Sequence, residues 1–156
     1  MDMLTTYILP FLAILTVLVF VHEMGHYLVA RRAGVRVEAF SIGFGPELAH
    51  WTDRAGTRWR IALLPLGGYV KMFGDSDPTS AGAADDGGMT DEEKAVSFHH
   101  KSLGARSAVV AAGPIANFLF AILILSLLYG ISGRPYAPAV VDEVVPDSAA
   151  AVADLQ

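Results

Sequence analysis

The chain has 156 residues, 53% of them hydrophobic and only 17% charged, with a mean hydropathy of +0.46; soluble proteins carry about 25% charged residues, so a membrane protein is expected. The absence of cysteine excludes a disulfide framework, thiolate-bound zinc, an iron–sulfur cluster and a cysteine nucleophile. A net charge of −5 gives no electrostatic footprint for nucleic acid.

Met3 to Val21 contains no charge over nineteen residues. A helix needs about 20 apolar residues to cross a bilayer core, so this one reaches the required length by continuing through His22–Ala30, which predicts a membrane helix over residues 4–30. A secretory signal peptide is the competing reading, and it fits poorly: the terminus carries Asp2 rather than a basic region, and the apolar run leads into polar residues instead of a cleavage site.

Those polar residues are His22-Glu23-Met24-Gly25-His26. Residues four apart on a helix share a face, one turn apart. At that spacing two imidazoles reach one tetrahedral zinc, and the glutamate beside the first ligand is where this motif places a general base for an attacking water. Chance occurrence near the headgroups is the bland alternative. It is disfavoured because ionisable side chains inside a membrane helix cost about 2.5–3.5 kcal/mol each near its centre and need a reason to be there. Gly25 removes a side chain between the ligands and permits close approach of a substrate or a neighbouring helix. Catalytic zinc takes three protein ligands. His50, His99 and His100 stand near no second metal motif and read as solvated, and neither uncharged stretch holds an acidic residue, so the third ligand is expected outside these 156 residues.

Residues 36–73 are rich in β-branched and aromatic residues and are broken at Gly43, Gly45-Pro46 and Pro65-Leu66-Gly67-Gly68. This pattern predicts two short β-hairpins, either dipping into the membrane or lying as a small sheet on its surface. Residues 75–94 are acidic and small and read as a solvated loop; the spacing of an EF-hand is absent. Ser107 to Gly133 is again free of charge, which predicts a second membrane helix over residues 107–132. Within it Ala108, Ala112 and Ala116 form a ridge of small residues for helix packing, Pro114 frees a carbonyl, and Asn117 seeks a hydrogen-bond partner, either in helix packing alone or beside the site. Ten of the eleven lysines and arginines lie between Arg31 and Arg106. Positive charge favours the cytoplasmic side, so residues 31–106 are expected there, with both termini on the opposite face.

Four separated motifs in order carry a resemblance over nearly the whole chain: His22–His26 with Arg31-Arg32, Phe40–Pro46, Leu64–Met72 and Ala112–Phe118. Together they resemble the site-2 protease family, in its bacterial branch of regulator-of-sigma-E proteases. The resemblance implies an α-helical multi-pass protein of the bacterial inner membrane. Its two membrane helices would be joined by a cytoplasmic segment with membrane-reentrant β-hairpins (residues 1–135), and a PDZ-like domain would begin at residues 136–156. It implies one Zn2+ held by His22 and His26, with Glu23 as catalytic base and a third ligand, an aspartate in a Leu-Asp-Gly motif, on a later helix. Gly67, Gly68, Tyr69 and Asn117 would bind substrate. The implied activity is regulated intramembrane proteolysis of single-pass membrane proteins, such as an anti-sigma factor or remnant signal peptides. On this reading the chain is the N-terminal part of such a protease and inactive alone; Asp154 departs from the glycine usual in the PDZ pattern. A non-catalytic membrane interaction module retaining the fold is the alternative, and a metal carrier is a third reading that Glu23 argues against.

Overall fold

The computed structural model describes residues 2–75 and 88–133. Residues Met1–Leu123 form one compact unit. Of a second unit, Ile124–Gln156, the described residues continue the last helix and end at Gly133. The PDZ-like start expected at residues 136–156 and most of the acidic loop fall outside the described residues.

A π-helical turn, Leu4–Ile8, leads into helix α1, Leu9–Arg32. The polar motif does not interrupt α1, and the combined segment Leu4–Arg32 is long and apolar enough to cross a membrane. It stops where Gly34 adopts φ 71°, a left-handed conformation that glycine enters without a Cβ penalty, and where the Gly34 amide donates to the Arg31 carbonyl at 3.1 Å. Arg31 and Arg32 lie in the last turn, where positive charge suits the helix dipole.

Two long strands follow, β1 (Val37–Thr52) and β2 (Arg58–Met72), paired antiparallel. Each is bent, β1 at Gly43 and Gly45 (φ 85° and 87°) and β2 at Gly67 (φ 145°). The bends give residues 37–42 a partner on both sides: Phe40 stands opposite Val70 and also opposite Trp59. Residues 58–62 in turn pair with residues 47–52, through Trp59 opposite Trp51 and Arg60 opposite His50. The expectation of two self-contained short hairpins is therefore corrected. The halves interleave, because each strand inserted between two others satisfies its amides and carbonyls on both edges. Residues 68–72 are left as one outer edge of the layer.

Phe40 ties this layer to α1. It is fully buried, stacks on Trp59 at 4.4 Å between ring centroids, and meets Tyr27 and Phe20 edge-on at 5.8 and 6.0 Å. Cutting it back to alanine would cost about 3–5 kcal/mol. A second tie is polar. In the β1–β2 turn the Asp53 carboxylate accepts from the Ala55 and Thr57 amides, from Trp59 Nε1 at 2.9 Å and from the Tyr27 hydroxyl of α1 at 3.3 Å. Partial burial pushes this carboxyl up, but those hydrogen bonds, Trp59 foremost, outweigh it and hold Asp53 below the usual carboxylate range.

After the segment left undescribed, helix α2 (Asp91–Val96) starts at a capping box. Thr90 accepts from the Glu93 amide, and Glu93 accepts from the Thr90 amide. The last part of the stretch read as a solvated loop is thus helical, because the Thr90 and Glu93 spacing satisfies amides that a loop would leave to water. Helix α3 spans Leu103–Ser132, starting four residues before the expected span as the Ser102 hydroxyl accepts from the Ala105 amide. A small core of Ala30, Val35, Val37, Met72 and Val109 closes the junction between the end of α1, the sheet and α3.

Candidate metal centre

The helical spacing does what it predicts: His22 and His26 present their Nε2 atoms to each other at 3.2 Å. Two ligands of a tetrahedral zinc, each about 2.0–2.1 Å from the metal, lie about 3.3 Å apart. The pair therefore fits two corners of such a site.

What holds the pair comes from α3. His26 Nδ1 lies 2.7 Å from the Val109 carbonyl. A carbonyl only accepts, so Nδ1 carries the proton and Nε2 is left with its lone pair, as a metal ligand requires. His22 Nδ1 faces the Asn117 amide at 3.4 Å. Both contacts depend on close approach of the helices at Gly25, where a Cβ would overlap the Ala112 carbonyl and lie 2.8 Å from the Ala116 Cβ. Gly25 thus serves the neighbouring helix rather than a substrate, and two of the three alanines of the small-residue ridge receive it. Gly113 supplies the empty space itself. A Cβ there would overlap His26 Nε2 and lie 2.7 Å from His22 Nε2, so the glycine keeps open the volume onto which both Nε2 atoms converge. Pro114, next along α3, lacks the amide that would bond the Val110 carbonyl, which loosens the helix beside the Val109 carbonyl.

Glu23 lines two cavities. One, of about 310 Å³, is largely apolar and includes Leu18, Val19, Phe44, Gly68 and Asn117. The other, of about 340 Å³, includes His26, Val70, Asp75 and Phe98. The edge segment of β2 runs past both. Gly68 brings it close: a Cβ there would lie 3.0 Å from Val19 Cγ1, 3.3 Å from Glu23 Cγ and 2.6 Å from the Ser41 carbonyl.

The other sequence-predicted residues divide. Gly67 and Asn117 line the first cavity with Gly68. The Tyr69 side chain points elsewhere: its hydroxyl accepts from Arg60 Nη1 at 2.8 Å, and its ring stacks near Phe44. Neighbouring residues of a strand face opposite sides, so Gly68 next to α1 obliges Tyr69 to turn away. His50 pairs with Glu47, and His99 pairs with Asp75, a residue that lines the second cavity. Among the described residues no group of three histidine, aspartate or glutamate side chains converges on one point. Sequence reasoning missed the Val109 carbonyl and the role of Gly113. Backbone atoms and empty volume have no letter of their own, although a glycine one turn of helix from Asn117 was a readable sign of close approach.

Comparison with known proteins gives a consistent picture. Residues 10–153 match the model of peptidase family M50. A protein of Agrobacterium fabrum provisionally named a zinc metalloprotease is 55% identical over 156 residues, covering 98% of this chain and 41% of that one. One of Mesorhizobium japonicum with the same provisional description is 52% identical, covering 96% and 41%. The regulator of sigma-E protease of Salmonella typhimurium is 47% identical over 146 residues, covering 93% of this chain and 30% of its own length. The chain thus spans 41% or less of the length of these relatives.

Proposed function

The chain belongs to peptidase family M50, and from that premise we propose that it carries two metal ligands and the general base of an intramembrane zinc endopeptidase. One observation carries the reading: the His22 and His26 Nε2 atoms converge to 3.2 Å beside Glu23, on a helix long and apolar enough to cross a bilayer. His22 and His26 would hold the zinc, and a third ligand, an aspartate, would come from outside these residues. Bound there, the metal would make a water acidic near neutral pH and polarise a peptide carbonyl.

The chain's own groups do the rest. Glu23 takes the proton of the attacking water and returns it to the leaving amine. Its place between two cavities lets an extended peptide pass on either side of it. A helical peptide bond is shielded by its own turn, so the substrate must unwind. The outer edge of residues 68–72 offers backbone groups to receive it as an added strand. Gly67 and Gly68 leave room for that strand, and Asn117 borders its path. With Arg31 at the headgroup boundary, Glu23 lies eight residues deeper, about 12 Å at about 1.5 Å per residue, inside the hydrocarbon core. The substrate class is a single-pass membrane protein, such as an anti-sigma factor or a remnant signal peptide, in a bacterial inner membrane with residues 31–106 cytoplasmic.

The test uses the complete gene product. It should hold about one zinc per chain and cleave a membrane-anchored reporter, while Glu23→Gln keeps the metal and loses cleavage. Equal cleavage by both forms would remove Glu23 as the base, and zinc well below one per chain would remove the ligand assignment. Intact zinc without cleavage by either form would favour an interaction module.

A further inference from the structure

His22 and His26 are held differently. The Val109 carbonyl obliges His26 to keep its proton on Nδ1, which leaves Nε2 as a bare acceptor. His22 Nδ1 instead faces Asn117 Nδ2 at 3.4 Å. With the amide in that orientation its nitrogen donates, His22 Nδ1 accepts and the His22 proton is on Nε2. From there it points at His26 Nε2, 3.2 Å away. The chain of hydrogen bonds runs from Asn117 through His22 and His26 to Val109, and it is complete without a metal. Its one defect is Asn117 Oδ1, which is buried and has no partner.

A cation between the two Nε2 atoms cannot be held in that arrangement, because His22 Nε2 carries a hydrogen. The proton must move to Nδ1, and Nδ1–H then needs an acceptor. Asn117 is the polar side chain in place to supply one among the described residues. A half-turn of its amide exchanges nitrogen for oxygen without changing the volume occupied. We propose that Asn117 is the positioning residue of His22: its amide reverses when the metal is bound, and Oδ1 accepts from His22 Nδ1–H. In both arrangements every ring nitrogen of the pair is satisfied, and the reversal gives Oδ1 a partner while Nδ2 takes its former place. The inference rests on the zinc reading above and assigns to Asn117 a role distinct from contact with substrate.

Two substitutions separate this role from packing. Asn117→Leu keeps the branched shape and removes the acceptor; Asn117→Asp keeps an acceptor and, ionised, cannot donate. Zinc affinity of the complete gene product, measured by competition with a chelator, should fall about 10- to 100-fold in Asn117→Leu, the range for lost partners of metal-bound histidines. In Asn117→Asp it should stay within about threefold of the unsubstituted protein. Nitrogen NMR of protein labelled at histidine supplies a readout independent of activity. The His22 proton should be on Nε2 without metal and on Nδ1 with it, and in Asn117→Asp on Nδ1 in both states. Equal losses in the two variants, no loss in either, or an unmoved His22 proton would overturn the proposal. If the unsubstituted protein takes up zinc and only these differences fail, the zinc reading stands; if it takes up none, both fall.

Discussion

Replacing Gly113 by alanine gives the sharpest test of how the ligand pair is built. The added Cβ would overlap His26 Nε2 and lie 2.7 Å from His22 Nε2, where ordinary contact begins at 3.4 Å. Relief requires His22 to move by about 0.7 Å and His26 by more, whereas a zinc–ligand distance tolerates about 0.2 Å. Zinc affinity should therefore fall at least about tenfold to a hundredfold, as for misoriented ligands, which is about 1.4–2.8 kcal/mol. Fold stability should move the other way, since alanine in a helix interior is favoured over glycine by about 0.5–1 kcal/mol. The assay is chelator competition on the purified complete gene product, with thermal unfolding of the metal-free form alongside. Gly25→Ala is the companion, because its Cβ strikes the Ala112 carbonyl and Ala116 rather than an imidazole. It should separate the helices and weaken both metal binding and the fold. If Gly113→Ala bound zinc as tightly as the unsubstituted protein, the volume behind Gly113 would not be the metal's, and the reasoning would fail.

Gly68→Val should slow reporter cleavage more than tenfold with zinc content unchanged, because the side chain would push β2 off Val19 and Glu23 without reaching the imidazoles; zinc loss in this variant would contradict it. Asp53 makes stability pH-dependent. Its folded carboxyl titrates below the unfolded value of about 3.9, so its contribution is complete above that value and fades as pH falls through the lower folded one. Thermal unfolding should show that fading in the unsubstituted protein, and Asp53→Asn should lack that part of the acid sensitivity. Thr57 is fully buried and its hydroxyl donates to the Val37 carbonyl at 3.0 Å; Thr57→Val should cost about 1–3 kcal/mol in denaturant unfolding, and a neutral result would mean water replaces the bond.

The long uncharged runs were enough to place α1, to carry the His22–His26 motif within it and to anticipate α3, because a long apolar helix is declared by its own residues. The sheet was half legible. Gly43, Gly45 and Gly67 marked the bends, but which segment lies beside which is decided by partners distant in sequence, and the interleaving of β1 with β2 has no local sign. Two local signals were overlooked: the Thr90 and Glu93 capping box, and the Asp53 turn closed by Gly56 at φ 84°. The convergence of His22 and His26 was legible in their spacing, and what supports them was not. Val109 acts through a carbonyl every residue possesses, and Gly113 acts through what it lacks.

The unequal supports of the two histidines bear on how such a centre tolerates mutation. A hydrogen bond from Asn117 is erased by one codon change, but the bond from His26 to the Val109 carbonyl survives any side chain at position 109 that preserves the helix. A saturation screen would therefore score Val109 only as a packing residue and miss its chemical part. A side-chain change at position 117 reaches the support of His22 directly, while the peptide bond keeps the support of His26 through changes of the side chain at position 109.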